Sequence, residues 1–539
     1  MRRMKARPFL AALLAAALAL LALGGVAWWL LLQRSPLSLQ QQRLVLPVAA
    51  RFVPRTAPLS LHWLVGPDQP AAYARAVAPP RQRRQAAAAA DRLRDGAFAA
   101  AGLDYATELA PWLGGQSSLA LLTPPGEEGE PGWVLALRSR DNEGARRFLQ
   151  RFWQTRSLAG TDLQITTYRG MGLISGRGAL IGQDPRPLAT ALINDDLVLI
   201  ASGRGALEQA LDVSQIDELN QAASPQLQQA SAQLGQGIAL LTARPQAMEQ
   251  WLGLPAGAAS VDSPLTELVA SLLPSGRGLR LEAVLQLNTP LPQNALSGGE
   301  GLLRQLHTPA TSLALIQNPA QLLAPSGDSA EARNPWQAIA GPLLAQALGR
   351  EQGPLPTLVA AADSGPLLWA QQREGWLLGT RGDTPDPLEL QSALEAQGFS
   401  TSPLQSKGHT LLAWTQLQSK PVKGNPDQLQ ARLAGARAAD AGLAWWGQGL
   451  AVLDQQQEGR QAPQARQRQL DQLDSPKAPV QWAMDAAMAR GLLEHWQPWR
   501  LLTTLSGSPL SATVEGAALS LQAEAETNAL RLRGQLDLG

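Results

Sequence analysis

The sequence predicts an α+β protein: an N-terminal transmembrane helix followed by an internally duplicated ectodomain of antiparallel sheets with helices packed on one face. Three observations carry that expectation. An uncharged apolar run fills residues 8–32 behind a basic N-terminus. Strand-like and helix-like segments then alternate in a way that suits antiparallel sheets carrying amphipathic helices. Segments of similar pattern recur at offsets of about 240–250 residues, the sign of an internal repeat.

The anchor comes first in the chain. Arg2, Arg3, Lys5 and Arg7 precede "PFLAALLAAALALLALGGVAWWLLL", residues 8–32. As a helix this run is about 37 Å long, more than the roughly 30 Å of bilayer hydrocarbon. Trp28 and Trp29 stand near its far end, where interfacial aromatics belong. A cleaved signal peptide fits less well, because its apolar core is shorter and cleavage after Ala27 would leave "WWLLL" exposed. The basic flank places residues 1–7 in the cytoplasm and the bulk of the chain outside it, in a periplasm or thylakoid lumen.

Residues 33–56 read as a membrane-proximal stalk, and 79–102 as an Ala-rich helix. "SSLALL" (117–122) and "WVLALRSR" (133–140) read as a hairpin across a Pro/Gly/Glu loop. In "DNEGARRFLQRFWQ" (141–154), Ala145, Phe148, Leu149 and Phe152 share one helical face. "LQITTYRGMGLIS" (163–175) and "ATALINDDLVLIA" (189–201) return to strand composition, and a helix over 205–213 closes a β-β-α-β-β-α unit. The second half repeats the pattern at 366–382, 386–398, 399–414 and 442–454. The expected division is a first repeat over 57–290, a linker over 291–309 and a second repeat over 310–539.

Composition narrows the chemistry. The 539 residues are 45% hydrophobic and 17% charged, which can bury cores and is not a disordered composition. Net charge is +1, so no bias toward nucleic acid is visible. With no Cys, thiolate metal sites, cysteine nucleophiles, disulfides and lipoprotein anchoring are excluded.

Motifs that could carry chemistry read better as structure. "LIASGRGALEQAL" (199–211) has the strand, glycine loop and helix order of a phosphate cradle. It lacks the Lys-Ser/Thr of a P-loop, and the matching stretch of the second half has no glycine loop, so it reads as a turn. "RGMGLISGRG" (169–178) precedes Gly and Pro, not a helix, and reads as a hairpin turn. Asp195 and Asp196, between apolar runs, read as another. His62, His307, His409 and His495 have no second ligand at metal spacing. No catalytic, cofactor or metal residues are assigned. Among 16 tryptophans most read as core, while "LLEHWQPWRLL" (492–502) is the best candidate for an exposed aromatic surface, through Trp496 and Trp499.

"LDYATELAPWLGGQSSLALL" (103–122), with "VPRTAPLSLHWLV" (53–65) before it and "GWVLALRSRDNEGARRFLQRF" (132–152) after it, resembles the bacterial family known as domain of unknown function 3352, seen in cyanobacteria among others. The sharpest motif is "PWLG" at 111–114. The resemblance implies a membrane-anchored protein with a large extracytoplasmic α+β region, and implies no activity or catalytic residues. The expected function is non-enzymatic binding, scaffolding or assembly in the envelope or thylakoid. The partners would be the bilayer, through residues 8–32, and a protein. A lipid or small apolar ligand carrier is one alternative. A hydrolase whose site assembles only in three dimensions is another.

Overall fold

The computed structural model describes residues 35–123, 132–156, 163–178, 185–254, 264–289, 299–319, 341, 354–362, 365–382, 387–422, 425–440, 442–459, 465–524 and 528–539. Ten strands precede residue 290: β1 (Leu59–Trp63), β2 (Leu113–Leu122), β3 (Gly132–Ser139), β4 (Gln164–Tyr168), β5 (Met171–Gly178), β6 (Arg186–Ile193), β7 (Leu197–Ala201), β8 (Ala239–Ala243), β9 (Leu265–Ser275) and β10 (Gly278–Leu287). Ten follow: β11 (Ser312–Gln317), β12 (Pro366–Gln372), β13 (Gly375–Arg381), β14 (Phe399–Ser406), β15 (His409–Val422), β16 (Asn425–Asp440), β17 (Leu443–Gly447), β18 (Val480–Asp485), β19 (Val514–Ala523) and β20 (Ala529–Leu538).

These twenty strands of the described residues share one antiparallel sheet. Pairing runs β4-β5-β6-β7-β3-β2-β1-β8-β9-β10 through the first block. It continues β20-β19-β18-β11-β12-β13-β17-β16-β15-β14 through the second. Adding ten to each strand number turns the first order into the second read backwards. The blocks meet where β10 and β20 pair antiparallel, with Leu281 opposite Gly534 and Ala283 opposite Leu532. Arg531 adds ion pairs to Glu282 across this seam (2.8 Å) and to Glu524 (3.2 Å).

Helices cover both faces, which corrects the expectation of helices on one face of separate sheets. On β3, Leu135 and Leu137 pack with Phe148, Leu149 and Phe152 of helix Asn142–Arg156, whereas Val134 and Ala136 pack with Leu207, Ala210 and Leu211 of helix Arg204–Ser214. On β13, Trp376 and Leu378 meet Leu390 and Leu394 of helix Pro387–Ala396, and Leu377 meets Val452 and Leu453 of helix Leu450–Gln457. The physical reason is legible in "LVLIA" at β7, where every residue is buried. A strand covered on both faces reads as a continuous apolar run, not as an alternation.

The expected transmembrane helix is the second correction. Among the described residues no helix is long and apolar enough to cross a membrane, so an N-terminal transmembrane helix is not shown. Residues 8–32, with Trp28 and Trp29, lie outside the described residues. The stretch read as a stalk packs onto the first block, burying Leu39, Ala49, Ala50, Phe52 and Val53.

Candidate interaction site

Helix Pro245–Leu252 follows β8, and helix Ala486–His495 follows β18. They hold equivalent places in the two blocks: the first packs on β9, the second on β18 and β19, so they flank the β10–β20 seam and share one core. Asp485 caps the second helix by accepting the Met488 N–H at 2.9 Å. Ala489 and Leu493 point into the core. Met488, Leu492 and Trp496 recur every four residues and so share the other side; each is exposed.

Trp496 is fixed as well as exposed. Its indole Nε1–H donates to the Leu252 carbonyl at 2.7 Å, tying one block to the other. Helix Pro245–Leu252 ends at Gly253 in the left-handed region (φ 65°), which lets the chain turn beneath the indole. Trp251, 49% exposed, stands beside this contact, and Trp496 is 37% exposed. Leu501 is exposed on the following helix, Gln497–Ser506. That helix crosses helix Arg83–Ala100 so closely that a Cβ on Gly96 would run into the Leu505 carbonyl.

Of the two tryptophans singled out from sequence, Trp496 is thus at the surface. Trp499 is 7% exposed and sits in the seam core. Pro498 starts a new helix and turns Trp499 inward. Trp251 escaped sequence reasoning: its spacing from buried Ala247 and Met248 places it beside the core face, where periodicity reads it as interior.

The glycine loop at 199–211 is a turn. Gly203 (φ 120°) precedes helix Arg204–Ser214, with no side-chain cap. Arg169 and Gly170, both at positive φ, turn the β4–β5 hairpin, and Asn194 and Asp195 turn β6–β7. His307 bonds to the Gln456 carbonyl through Nδ1, His495 to that of Gly491, and His409 opens β15. Among the described residues no group of three His, Asp or Glu could hold a metal ion.

Among the described residues the closest approach to a catalytic pair is sealed in the core. His62 Nδ1 lies 2.9 Å from Ser118 Oγ, a base-to-hydroxyl contact. The other ring nitrogen faces Gln221 Oε1 at 3.3 Å, so the neutral ring donates there and accepts the Ser118 hydroxyl. Ser60 and Thr242 complete the cluster at 2.7 Å. Neither His62 nor Ser60 has exposed surface, and Ser118, Gln221 and Thr242 are buried. Burial pushes the His62 pKa down to about 4, partly opposed by the Gln221 hydrogen bond. The unfolded value is near 6.5, so the unfolded chain binds the proton more readily. His62 therefore stabilises the fold above pH 6.5, and that stabilisation is lost as pH falls through about 4, an effect of at most about 3 kcal/mol. Urea unfolding from pH 7 to pH 4 should show this loss, and His62→Gln should flatten it.

Comparison with known proteins settles the lineage. A family model described as "Protein of unknown function (DUF3352)" matches residues 13–532. The chain belongs to the DUF3352 family. In this DUF3352 protein the matched region takes in β10, the first four residues of β20 and both helices of the exposed stripe. No curated protein matches it. Among solved structures, crystal form IV of TP0453 is 9% identical over 44% of this chain and 79% of its own, with a TM-score of 0.25. Crystal form I is 8% identical over 48% and 85%, with a TM-score of 0.27.

Proposed function

We propose that this DUF3352 protein is a non-enzymatic binding or assembly protein that engages a protein partner over the seam between its two blocks. The observation that carries this reading is the exposed apolar stripe of Trp251, Met488, Leu492 and Trp496. Met488, Leu492 and Trp496 recur every four residues, and Trp496 is held in place, next to Trp251, by its hydrogen bond to the Leu252 carbonyl. Aromatic residues presented on fixed helices are the usual anchors of protein interfaces. Leu61 and Leu119, cross-strand neighbours on β1 and β2, are also exposed. An extracytoplasmic location is part of the proposal and rests on the basic flank of residues 1–7.

The alternatives draw less support. A groove of about 580 Å3 lies between Leu44–Val48 and helix Pro225–Leu234, but it is open to solvent, whereas a carrier would enclose its ligand. A hydrolase would need His62 and Ser118 to reach substrate, and both are buried.

The test is capture of the tagged full-length chain from cross-linked membranes, compared with Trp251→Ser/Trp496→Ser. Loss of two interface anchors should cut recovery of a stoichiometric partner by about ten-fold or more, while the variant stays folded and loses only about 1 kcal/mol with the Trp496–Leu252 hydrogen bond. Equal recovery by both proteins contradicts the proposal.

A further inference from the structure

A second surface, at one end of the sheet, carries charge in place of apolar area. Helix Gln69–Val77 turns through Pro79 and Pro80 into helix Arg83–Ala100. Arg75, Arg81, Arg83 and Arg84 are exposed on this elbow. Between residues 66 and 103 the carboxylates are Asp68, Asp91 and Asp95, and Arg94 engages all three at 2.6–2.9 Å. The elbow arginines are left without an ion-pair partner among the described residues.

Two more cations join them. The Tyr73 hydroxyl accepts from Gln40 Nε2 (2.8 Å) and donates to the Gly276 carbonyl (2.7 Å). It thereby ties the first helix to the turn Pro36–Gln41 and to the β9–β10 hairpin turn, which carries exposed Arg277. Exposed Arg43 bridges Gln236 just before β8, at the same end of the sheet. Fold stability does not account for this clustering. Arg83 and Arg84 open their helix with no acidic residue in its first turn, where cations oppose the helix dipole.

We propose that this basic end docks on the anionic headgroups of a lipid bilayer. Guanidinium groups pair bidentately with phosphate. Arginines spread over three elements at one end match a plane of many phosphates better than one acidic segment. The chain supports lipid as the occupant: the uncharged apolar run of the sequence ends at Leu32, three residues before Ser35, and Ser35 begins the turn packed against this same helix. Leu37 in that turn is exposed. This surface is separate from the seam stripe and its partner.

The test uses the full chain reconstituted in vesicles of phosphatidylcholine alone or with phosphatidylglycerol, read by amide hydrogen exchange over residues 75–86. Phosphatidylglycerol should slow exchange there roughly ten-fold relative to phosphatidylcholine, and high salt should remove the difference. Arg81→Glu/Arg83→Glu/Arg84→Glu should abolish the difference while exchange in β9 and β10 stays unchanged. Equal exchange in the two vesicles overturns the proposal. So does protection by soluble polyglutamate without protection by phosphatidylglycerol, which would assign the surface to an acidic protein.

Discussion

Trp446→Ala is expected to destabilise the protein by about 3–5 kcal/mol, read as a lower urea midpoint. Trp446 and Trp414 are each 1% exposed and stack with ring centroids 5.2 Å apart and planes 16° off parallel. They come from β17 and β15, so the pair locks the outer strands of the second block onto the core shared with helix Pro387–Ala396. The Arg437 guanidinium lies 5.1 Å from the Trp446 ring, and burial holds its pKa below the usual arginine range. Truncating Trp446 would remove both neighbours' packing and open a cavity. Conservative changes should separate the two rings. Trp446 Nε1 donates to Thr380 Oγ1 at 3.2 Å, whereas Trp414 Nε1 has no partner. Trp446→Phe should therefore cost more than Trp414→Phe, by about 1 kcal/mol, the worth of one hydrogen bond.

Glu108→Ala is expected to cost a similar amount, about 3–5 kcal/mol, because it strands a buried cation. Arg156, at the end of helix Asn142–Arg156, is 4% exposed. Its two terminal nitrogens meet the two Glu108 oxygens at 2.6 and 2.7 Å, and one also donates to the Gly102 carbonyl at 3.0 Å. The Phe152 ring lies 4.6 Å from the guanidinium carbon. Glu108 also accepts the Asp104 N–H at 2.8 Å, so the carboxylate joins the "DYATEL" turn to the helix. Replacing both partners, as Glu108→Leu/Arg156→Met, should recover much of the loss, since a buried ion pair is often matched by an apolar pair. A double-mutant cycle reads the difference.

Much of the first block was legible in the sequence. "DNEGARRFLQRFWQ" shows a helical stripe because one face of that helix is buried, and Phe148, Leu149 and Phe152 lie on it. "SSLALL" and "WVLALRSR" pair as read, Ala120 opposite Val134. Strand number was less legible. The segments 163–175 and 399–414 each hold two strands, separated by the tight turns Arg169–Gly170 and Lys407–Gly408. β16 was missed because "NPDQLQARLAGARAAD" mixes small and polar residues and lacks an apolar run or a clear alternation. The joining of all strands into one sheet depends on β10 and β20, which lie more than two hundred residues apart and carry no local signal of their pairing. Trp496 was singled out because it stands at a helix end, just before a Pro-Trp pair. Trp251 was not, because its spacing from buried Ala247 and Met248 reads as interior.

The central claim, that the seam stripe binds a protein, is tested most directly by a photo-crosslinking amino acid placed at position 251 or 492 of the full-length chain, with position 204 on the opposite face as control. The account predicts one discrete cross-linked protein from 251 and 492 and none from 204. Cross-links confined to lipid, or the same products from all three positions, would contradict it.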